Sequence, residues 1–151
     1  MTDSNLSSHA KLARNEATAT MLRGGSIEIC GGNIIDSADE ATGERPVMAK
    51  IALPDSRVQL RADRTGISVR GIDKAEVLRE GLPVWWRGFT KAGVPVVYGL
   101  VYHGAEAKEA LAKIDAGVLV SGMIIDVDRL WRGMNVELGD MRIQIGEMSA
   151  A

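Results

Sequence analysis

The side chains that could carry out acid–base or metal chemistry are few in this chain and stand far apart. Its two histidines, His9 and His103, are separated by most of the sequence, and neither has a second ligand at metal-binding spacing. The single cysteine, Cys30, precedes a diglycine and has no neighbouring histidine to act as its base. These residues predict no catalytic site and no metal centre, so we expect the protein not to be an enzyme.

An acidic stretch offers the one alternative to that expectation. Asp36, Asp39 and Glu40 lie close together in sequence, and clustered carboxylates can hold Ca²⁺. Their spacing differs from that of an EF-hand loop, so an ordinary solvated loop is the preferred interpretation. The diglycines 24–25 and 31–32 lack the residues of a phosphate-binding loop and are interpreted as turns. The sequence therefore predicts no cofactor.

Two sets of residues could instead recognise a partner. The first is a local basic cluster: Arg57, Arg61, Arg64 and Arg70. It could meet an acidic surface or simply face solvent. The second set, Trp85, Trp86 and Trp131, could build a platform on which a sugar stacks. Large aromatic side chains in apolar strands more often fill cores and interfaces, so subunit packing is favoured over carbohydrate binding.

The elements that must position these residues begin with a helix. Residues 9–23 are good helix formers, with Ser7 or Ser8 as the N-cap and Gly24 just past the end. The apolar positions are few, which indicates a weakly amphipathic helix lying on a sheet or on a neighbouring subunit. We therefore interpret residues 1–23 as an N-terminal helical arm and residues 24–151 as a β-sandwich domain.

Beyond residue 24 the hydrophobic pattern changes to a period of two, which is typical of strands. Alternation is clearest in six segments: 27–30, 47–53, 57–61, 67–70, 125–128 and 141–145. Turn-forming residues separate them, and this spacing predicts a mainly β fold, an antiparallel β-sandwich of the Ig-like or jelly-roll-like kind. Residues 73–80 and 105–114 have helix propensity, and the sequence leaves open whether each is a helix or a strand.

Segment 82–102 predicts a β-hairpin whose two strands flank a turn at Gly93. Both faces of its strands are apolar, so both must be covered, either by the protein's own layers or by another chain. We expect an interface here, and Trp85 and Trp86 point to opposite faces of one strand. The residues predicted to form the interface are Trp85, Trp86, Phe89, Val97, Tyr98, Val101, Tyr102 and Trp131.

Length and composition bound the remaining possibilities. With 151 residues, 46% hydrophobic and 25% charged, the chain is expected to form one domain with a sizeable core. A formal net charge of −2 gives no general attraction to nucleic acid or to anionic membranes, and no apolar run is long enough to span a bilayer. Residues 1–8 lack the pattern of a secretion signal, so synthesis in the cytoplasm is expected.

The order of these features resembles a family of small accessory virion proteins of tailed bacteriophages, encoded among head and tail structural genes. The resemblance rests on the following segments: 25–29, 36–43, 47–53, Trp85-Trp86-Arg87, Gly93, 96–101 and 120–125. It covers most of residues 9–128. The chain departs from the family pattern between residues 58 and 80 and from residue 132 onward. The resemblance implies a structural role in the virion.

The resemblance implies a structural subunit of a tailed-phage particle, made in the host cytoplasm and located in the virion. A neck, collar or tail accessory role comes first, a capsid decoration role second, and a receptor- or carbohydrate-binding module third. The expected partners are further copies of the chain as a homo-oligomer, and other phage head, neck or tail proteins, but neither nucleic acid nor a membrane. Apolar edge strands at both chain ends favour assembly, because a lone domain normally protects such edges.

Overall fold

The computed structural model describes residues 7–60, 66–115, 122–125 and 127–143, and its secondary structure is mainly β. In chain order its helices and strands are α1 (Ser8–Leu22), β1 (Ser26–Cys30), β2 (Val47–Ala52), β3 (Val58–Leu60), β4 (Ile67–Glu76), β5 (Trp85–Phe89), β6 (Pro95–His103), α2 (Ala105–Asp115), β7 (Met123–Ile125) and β8 (Asn135–Ile143). The mainly β class and the N-terminal helix predicted from the sequence are confirmed. Residues 1–6 of the predicted arm and residues 144–145 of the last predicted strand lie outside the described ranges.

Local signals set the limits of α1 as the sequence predicts. The hydroxyl of Ser7 accepts a hydrogen bond from the backbone N–H of Ala10 (3.1 Å), which satisfies one free donor of the first turn. At the other end Gly24 has a φ of 76°, a conformation that glycine adopts at little cost. Ala19 and Leu22 are completely buried, so the second half of the helix belongs to the core.

The strands form two sheets. The larger has five strands in the order β2-β1-β5-β6-β7, and the smaller has three in the order β3-β4-β8. β5 and β6 form the predicted hairpin, with Trp86 opposite Gly99 and with Gly93 at a φ of 84° in the turn. β1 lies between β2 and β5 and pairs antiparallel with both, so the centre of the large sheet joins strands that are distant in sequence.

The purely antiparallel arrangement predicted from the sequence is wrong, because the last strand of the large sheet runs parallel to its neighbour. Val101 of β6 lies opposite Met123 of β7 in a parallel pair. Two parallel neighbouring strands need a long connection between them. Helix α2 lies in this connection; it has 11 residues, and each advances the chain about 1.5 Å along the helix axis. Residues 105–114 therefore fall in a helix, whereas residues 73–76 extend strand β4.

The two sheets meet at one edge and share a main core. Val77, directly after β4, forms an antiparallel bridge with Ala49 of β2, and the Leu78 N–H donates to the Met48 carbonyl (2.7 Å). The mixed sheet curls into a half-barrel. Both sheets and α1 contribute to the core, whose largest fully buried side chains include Leu22, Ile27, Ile29, Met48, Ile51, Trp86, Met123 and Leu130.

Helix α1 approaches the large sheet over a glycine. A Cβ built on Gly88 of β5 would lie 2.8 Å from Cδ2 of Leu22, so this leucine packs directly over the glycine. Nε of Arg23 also donates to the Val58 carbonyl of β3 (2.9 Å). The division into an arm (1–23) and a second unit (24–151) stays a prediction, and α1 contributes directly to the core of that second unit.

The outer face of the large sheet has its own cover. Cys30, Ile35 and Trp85 form a second buried cluster, over which the loop between β1 and β2 (residues 31–46) folds. Further along the same face, α2 packs Ala110 against Tyr102. Each face of the hairpin is therefore covered in large part by the chain itself, whereas Val94 and Leu100 stay exposed.

Candidate assembly surfaces

Half of the residues predicted as an interface are buried within the chain. Trp86, Val97 and Val101 lie in the main core and are at most 8% exposed. Trp85 is completely buried in the second cluster, under the loop 31–46. The two adjacent tryptophans thus lie on opposite faces of β5, as strand alternation predicts. The structure brings neither of them to the surface.

Trp86 fits into the core because its cross-strand neighbour is a glycine. A Cβ on Gly99 would lie 2.8 Å from the indole Nε1 of Trp86, closer than packed atoms allow. The indole N–H of Trp86 has no hydrogen-bond partner, whereas that of Trp85 donates to the Gly31 carbonyl (3.0 Å). Trp86 is therefore positioned by packing, whereas Trp85 is positioned by packing and by a hydrogen bond.

Phe89, Tyr98 and Tyr102 are half-buried on the outer side of the hairpin. The hydroxyl of Tyr98 donates to the carbonyl of Asp36 (3.0 Å) and so ties β6 to the loop 31–46. Tyr102 packs against α2, where burial, together with the nearby charge of Glu106, raises the pKa of its hydroxyl. These side chains already have partners in the chain, and only their outer edges remain for another subunit.

A buried arginine, Arg87, organises this outer face, although sequence reasoning gave it no role of its own. It is 3% exposed, and its guanidinium carbon lies 5.4 Å from the ring centre of Trp85 and 5.2 Å from that of Phe89. Such distances are within the range of cation–π attraction. The signal in the sequence is an arginine placed two residues from an aromatic on each side, which puts all three on one face of a strand.

The guanidinium of Arg87 is satisfied mainly by the backbone of the loop 31–46. Nη1 donates to the carbonyl oxygens of Ala38 (3.0 Å) and Glu40, and Nη2 donates to the hydroxyl of Thr42 (2.6 Å). Within the described ranges no carboxylate forms a salt bridge with it. The loop is therefore anchored by its carbonyl groups, which leaves its acidic side chains free to point elsewhere.

A second arginine, Arg45, closes the loop on itself. Its Nη2 pairs with the Glu40 carboxylate (2.8 Å), whose other oxygen accepts the backbone N–H of Asp36 (3.1 Å). That backbone hydrogen bond, followed by Arg45, holds the pKa of Glu40 below its usual value. Asp39 and Glu44 are exposed, as is Asp36. Among the described residues no group of three histidine, cysteine or carboxylate side chains is placed to hold a metal ion.

The structure places the remaining candidates for chemistry apart from one another. Cys30 is completely buried, and desolvation, followed by the charge of Glu28, raises the pKa of its thiol to about 12, so that the nucleophilic thiolate does not form near neutral pH. His9 is exposed on α1, and His103 ends β6. In the basic cluster, Arg57 is exposed, whereas residues 61 and 64 and the side chain at position 70 lie outside the described part.

The third tryptophan lies on a short two-stranded ribbon that continues the pairing of β4 with β8. Gly81 and Leu130 exchange two backbone hydrogen bonds of 2.9 Å each, and the N–H of Val77 donates to the carbonyl of Met134 (2.8 Å). Trp131 occupies the turn that follows Leu130. We call residues 77–82 and 129–134 the tryptophan ribbon.

Large apolar side chains are exposed on this ribbon. Leu78 is 56% exposed, and Leu82 and Trp131 are each 55% exposed. They are three of the seven large hydrophobic residues that are exposed in the described ranges, and they come from two short paired segments. The guanidinium of Arg129 lies 4.6 Å from the ring centre of Trp131 and 3.8 Å from the Glu80 carboxylate. Tryptophan and arginine are the residue types most enriched in binding hot spots.

Comparison of the chain with protein-family models, with curated proteins and with solved structures gives no match. None of the helices in the described ranges is long and apolar enough to cross a membrane. A function must therefore be inferred from the surfaces of the chain itself.

Proposed function

We propose that the chain is a structural subunit of a tailed-phage particle, which associates with further copies of itself and with neighbouring particle proteins. The observation that carries the proposal is the exposed Trp131, with Leu78 and Leu82 on the same ribbon, in a chain whose other tryptophans are buried. Apolar patches of this kind, rimmed by charged residues, are typical of protein–protein contacts. Burial against a partner removes this apolar area from water, which favours association.

The order of sequence features supports a phage particle as the setting, with the virion as the location. A neck, collar or tail accessory role is our first proposal, and capsid decoration is the second. We also propose that the two sheets act as the layers of an Ig-like or jelly-roll-like sandwich. In support, side chains from β1 and β2 of the large sheet and from β3 and β4 of the small sheet belong to one hydrophobic cluster.

A carbohydrate-binding role lacks the feature that would favour it. A sugar platform needs stacked aromatic rings on one accessible face. Trp85 and Trp86 are buried on opposite sides of β5, which leaves Trp131 as the exposed tryptophan of the described part. We therefore propose subunit packing rather than sugar recognition for this residue.

The proposal is tested with the phage that carries the gene. A gene-deleted phage is complemented with the parent chain or with the Trp131→Ala chain, and particles are purified on a density gradient. Quantitative mass spectrometry then measures the copy number of the chain per particle. We expect a fixed copy number for the parent chain and a much lower copy number for the Trp131→Ala chain. A Lys108→Glu chain, altered at another exposed position, is the matched control. Purified particles without the parent chain would contradict the proposal.

The same phages distinguish the sites in the particle. A neck or tail role predicts heads and tails that fail to join, or defective tails, when the gene is deleted. A decoration role predicts complete particles whose capsids open at lower temperature. Normal particles that fail only to adsorb to cells would instead indicate the receptor-binding alternative. Electron microscopy with an antibody to the chain gives the position directly.

A further inference from the structure

The tryptophan ribbon combines exposed apolar side chains with an excess of positive charge. Its two segments contain three arginines and one glutamate. Arg129 is already shared between Trp131 and Glu80, whereas Arg79 and Arg132 are exposed and have no ion-pair partner among the described residues. A partner for this surface must therefore offer negative charge at its rim as well as a surface on which the indole can be buried.

The loop 31–46 carries the complementary charge. Residues 36–45 contain four carboxylates and one arginine, and the single arginine, Arg45, is paired with Glu40. The carboxylates of Asp36, Asp39 and Glu44 are exposed and have no ion-pair partner in the described ranges. This loop therefore carries a net negative charge on its exposed side chains.

The loop is also anchored to the large sheet by several hydrogen bonds. Its carbonyl groups face inward, where Arg87 binds those of Ala38 and Glu40, and Tyr98 binds that of Asp36. The acidic side chains are thereby presented on an ordered backbone. A surface that is ordered before binding loses less conformational entropy on association than a mobile one does.

We infer that the tryptophan ribbon of one copy docks on the acidic loop 31–46 of a second copy of this chain, with Arg79 and Arg132 opposite Asp36 and Asp39. The inference deepens the proposed function and rests on it, since it names the surface through which copies associate. Trp131 would be buried at the centre of the contact, and the ion pairs would form its rim.

The position of the two surfaces allows the contact to be reciprocal. The loop begins at Gly31, and a Cβ built there would lie 3.2 Å from the Leu82 carbonyl of the ribbon. The start of the loop and the end of one ribbon segment are therefore adjacent. Two copies related by a twofold axis can exchange both contacts, each giving its ribbon and receiving on its loop.

The test is a charge exchange between two purified variants. The ribbon variant carries Arg79→Glu and Arg132→Glu, and the loop variant carries Asp36→Lys and Asp39→Lys. Because all four positions are exposed, both variants should unfold with a cooperative thermal transition like that of the parent. Sedimentation velocity should show association of the parent that weakens in 1 M NaCl, because salt screens exposed charges. The self-association of each variant alone should be weaker than that of the parent by about tenfold or more. An equimolar mixture of the two should restore association.

Two further variants separate this contact from a general effect of charge. Lys91→Glu with Lys108→Glu makes the same change in net charge at exposed positions outside the ribbon, and it should associate like the parent. Trp131→Ala should weaken self-association by about tenfold or more while the chain stays folded. The inference is overturned if the parent is monomeric at all concentrations, if the control weakens association as much as the ribbon variant, or if the mixture fails to recover it.

These outcomes are separable from those of the particle experiment. If the chain is present in particles but charge exchange fails, the copies meet elsewhere and only this inference is lost. If charge exchange succeeds but purified particles lack the chain, the contact stands and the particle role is lost.

Discussion

Two arginine–tryptophan pairs in this protein have the same chemistry and opposite surroundings. Arg87 and Trp85 are 3% and 0% exposed, under the loop 31–46. Arg129 and Trp131 lie on the tryptophan ribbon, where the indole is 55% exposed. In both pairs the guanidinium carbon lies within about 6 Å of the ring centre, the range of cation–π attraction. Attraction between the two groups therefore does not decide what a pair does.

The difference lies in how the rest of the arginine is satisfied. Arg87 donates to two carbonyl oxygens and one hydroxyl of a loop that is distant in sequence, so that removing it leaves buried acceptors without donors. Arg129 makes a 3.8 Å ion pair with a carboxylate that is itself more than half exposed, and such pairs contribute little to stability. The buried pair stabilises the fold, and the exposed pair is available to a partner.

Truncating the two tryptophans should give the largest contrast. Trp85→Ala removes a completely buried side chain, and we expect the free energy of unfolding to fall by about 3–5 kcal/mol. Trp131→Ala should change it by about 0.5 kcal/mol or less. Urea unfolding followed by far-ultraviolet circular dichroism measures both. Equal losses would show that the two environments do not differ as described.

Replacing each arginine with lysine should give the next contrast. Lysine keeps the charge but loses the planar fork of donors. Arg87→Lys should therefore lower the free energy of unfolding by about 2 kcal/mol, whereas Arg129→Lys should stay within about 0.5 kcal/mol of the parent. Thermal unfolding of both variants in one buffer gives the comparison. An Arg87→Lys protein as stable as the parent would mean that the loop does not depend on its anchor.

A smaller effect is expected from the acceptors. Thr42→Val removes the hydroxyl that accepts from Nη2 of Arg87 at 2.6 Å, and should cost about 1–1.5 kcal/mol. Glu80→Gln, the corresponding change beside Arg129, should have almost no effect on stability, because that ion pair is long and exposed. Matched urea titrations of the two variants provide the measurement, and a larger loss in Glu80→Gln would reverse the assignment.

The smallest effect is a pH dependence centred on Cys30, which lies beside Trp85. Burial raises the pKa of its thiol from 9.0 to about 12. Between these values the unfolded chain releases the proton while the folded chain keeps it, so this thiol lowers stability as the pH rises above 9. The Cys30→Ala protein has no thiol to titrate at this position. The difference in free energy of unfolding between the parent and this variant should therefore shrink by about 1 kcal/mol between pH 8 and pH 10. An unchanged deficit would indicate that the thiol is not shielded.

The strand periodicity and helix caps anticipate most of the fold, because both are local properties. Where the prediction fails or stays open, long-range pairing decides. Residues 73–76 have helix propensity, yet Ala75 and Glu76 pair with Val136 and Asn135 of β8, so tertiary context overrides propensity. Residues 105–115 keep their propensity and form the crossover that makes the sheet mixed.

The interface prediction rests on a pattern that has two causes. A strand that is apolar on both faces must be covered on both, but the pattern does not show whether the same chain or another chain covers it. Here the cover over Trp85 is a loop with few apolar residues, and it is held by carbonyl groups that every sequence has. No pattern of residue types shows that arrangement in advance. The exposure of Leu78 and Leu82 was missed for a related reason: Leu78 lies in a segment with helix propensity, and Leu82 begins the predicted hairpin, so neither pattern shows that their side chains face solvent.

The packing of helix α1 over Gly88 has a consequence for the order of events during synthesis. Leu22 reaches its full burial only after Gly88, which lies 66 positions later in the chain, has been synthesised and has paired within the sheet. The helix is thus made well before the strand over which Leu22 packs. Until then its apolar residues are open to other chains, a hazard typical of topologies that join distant segments.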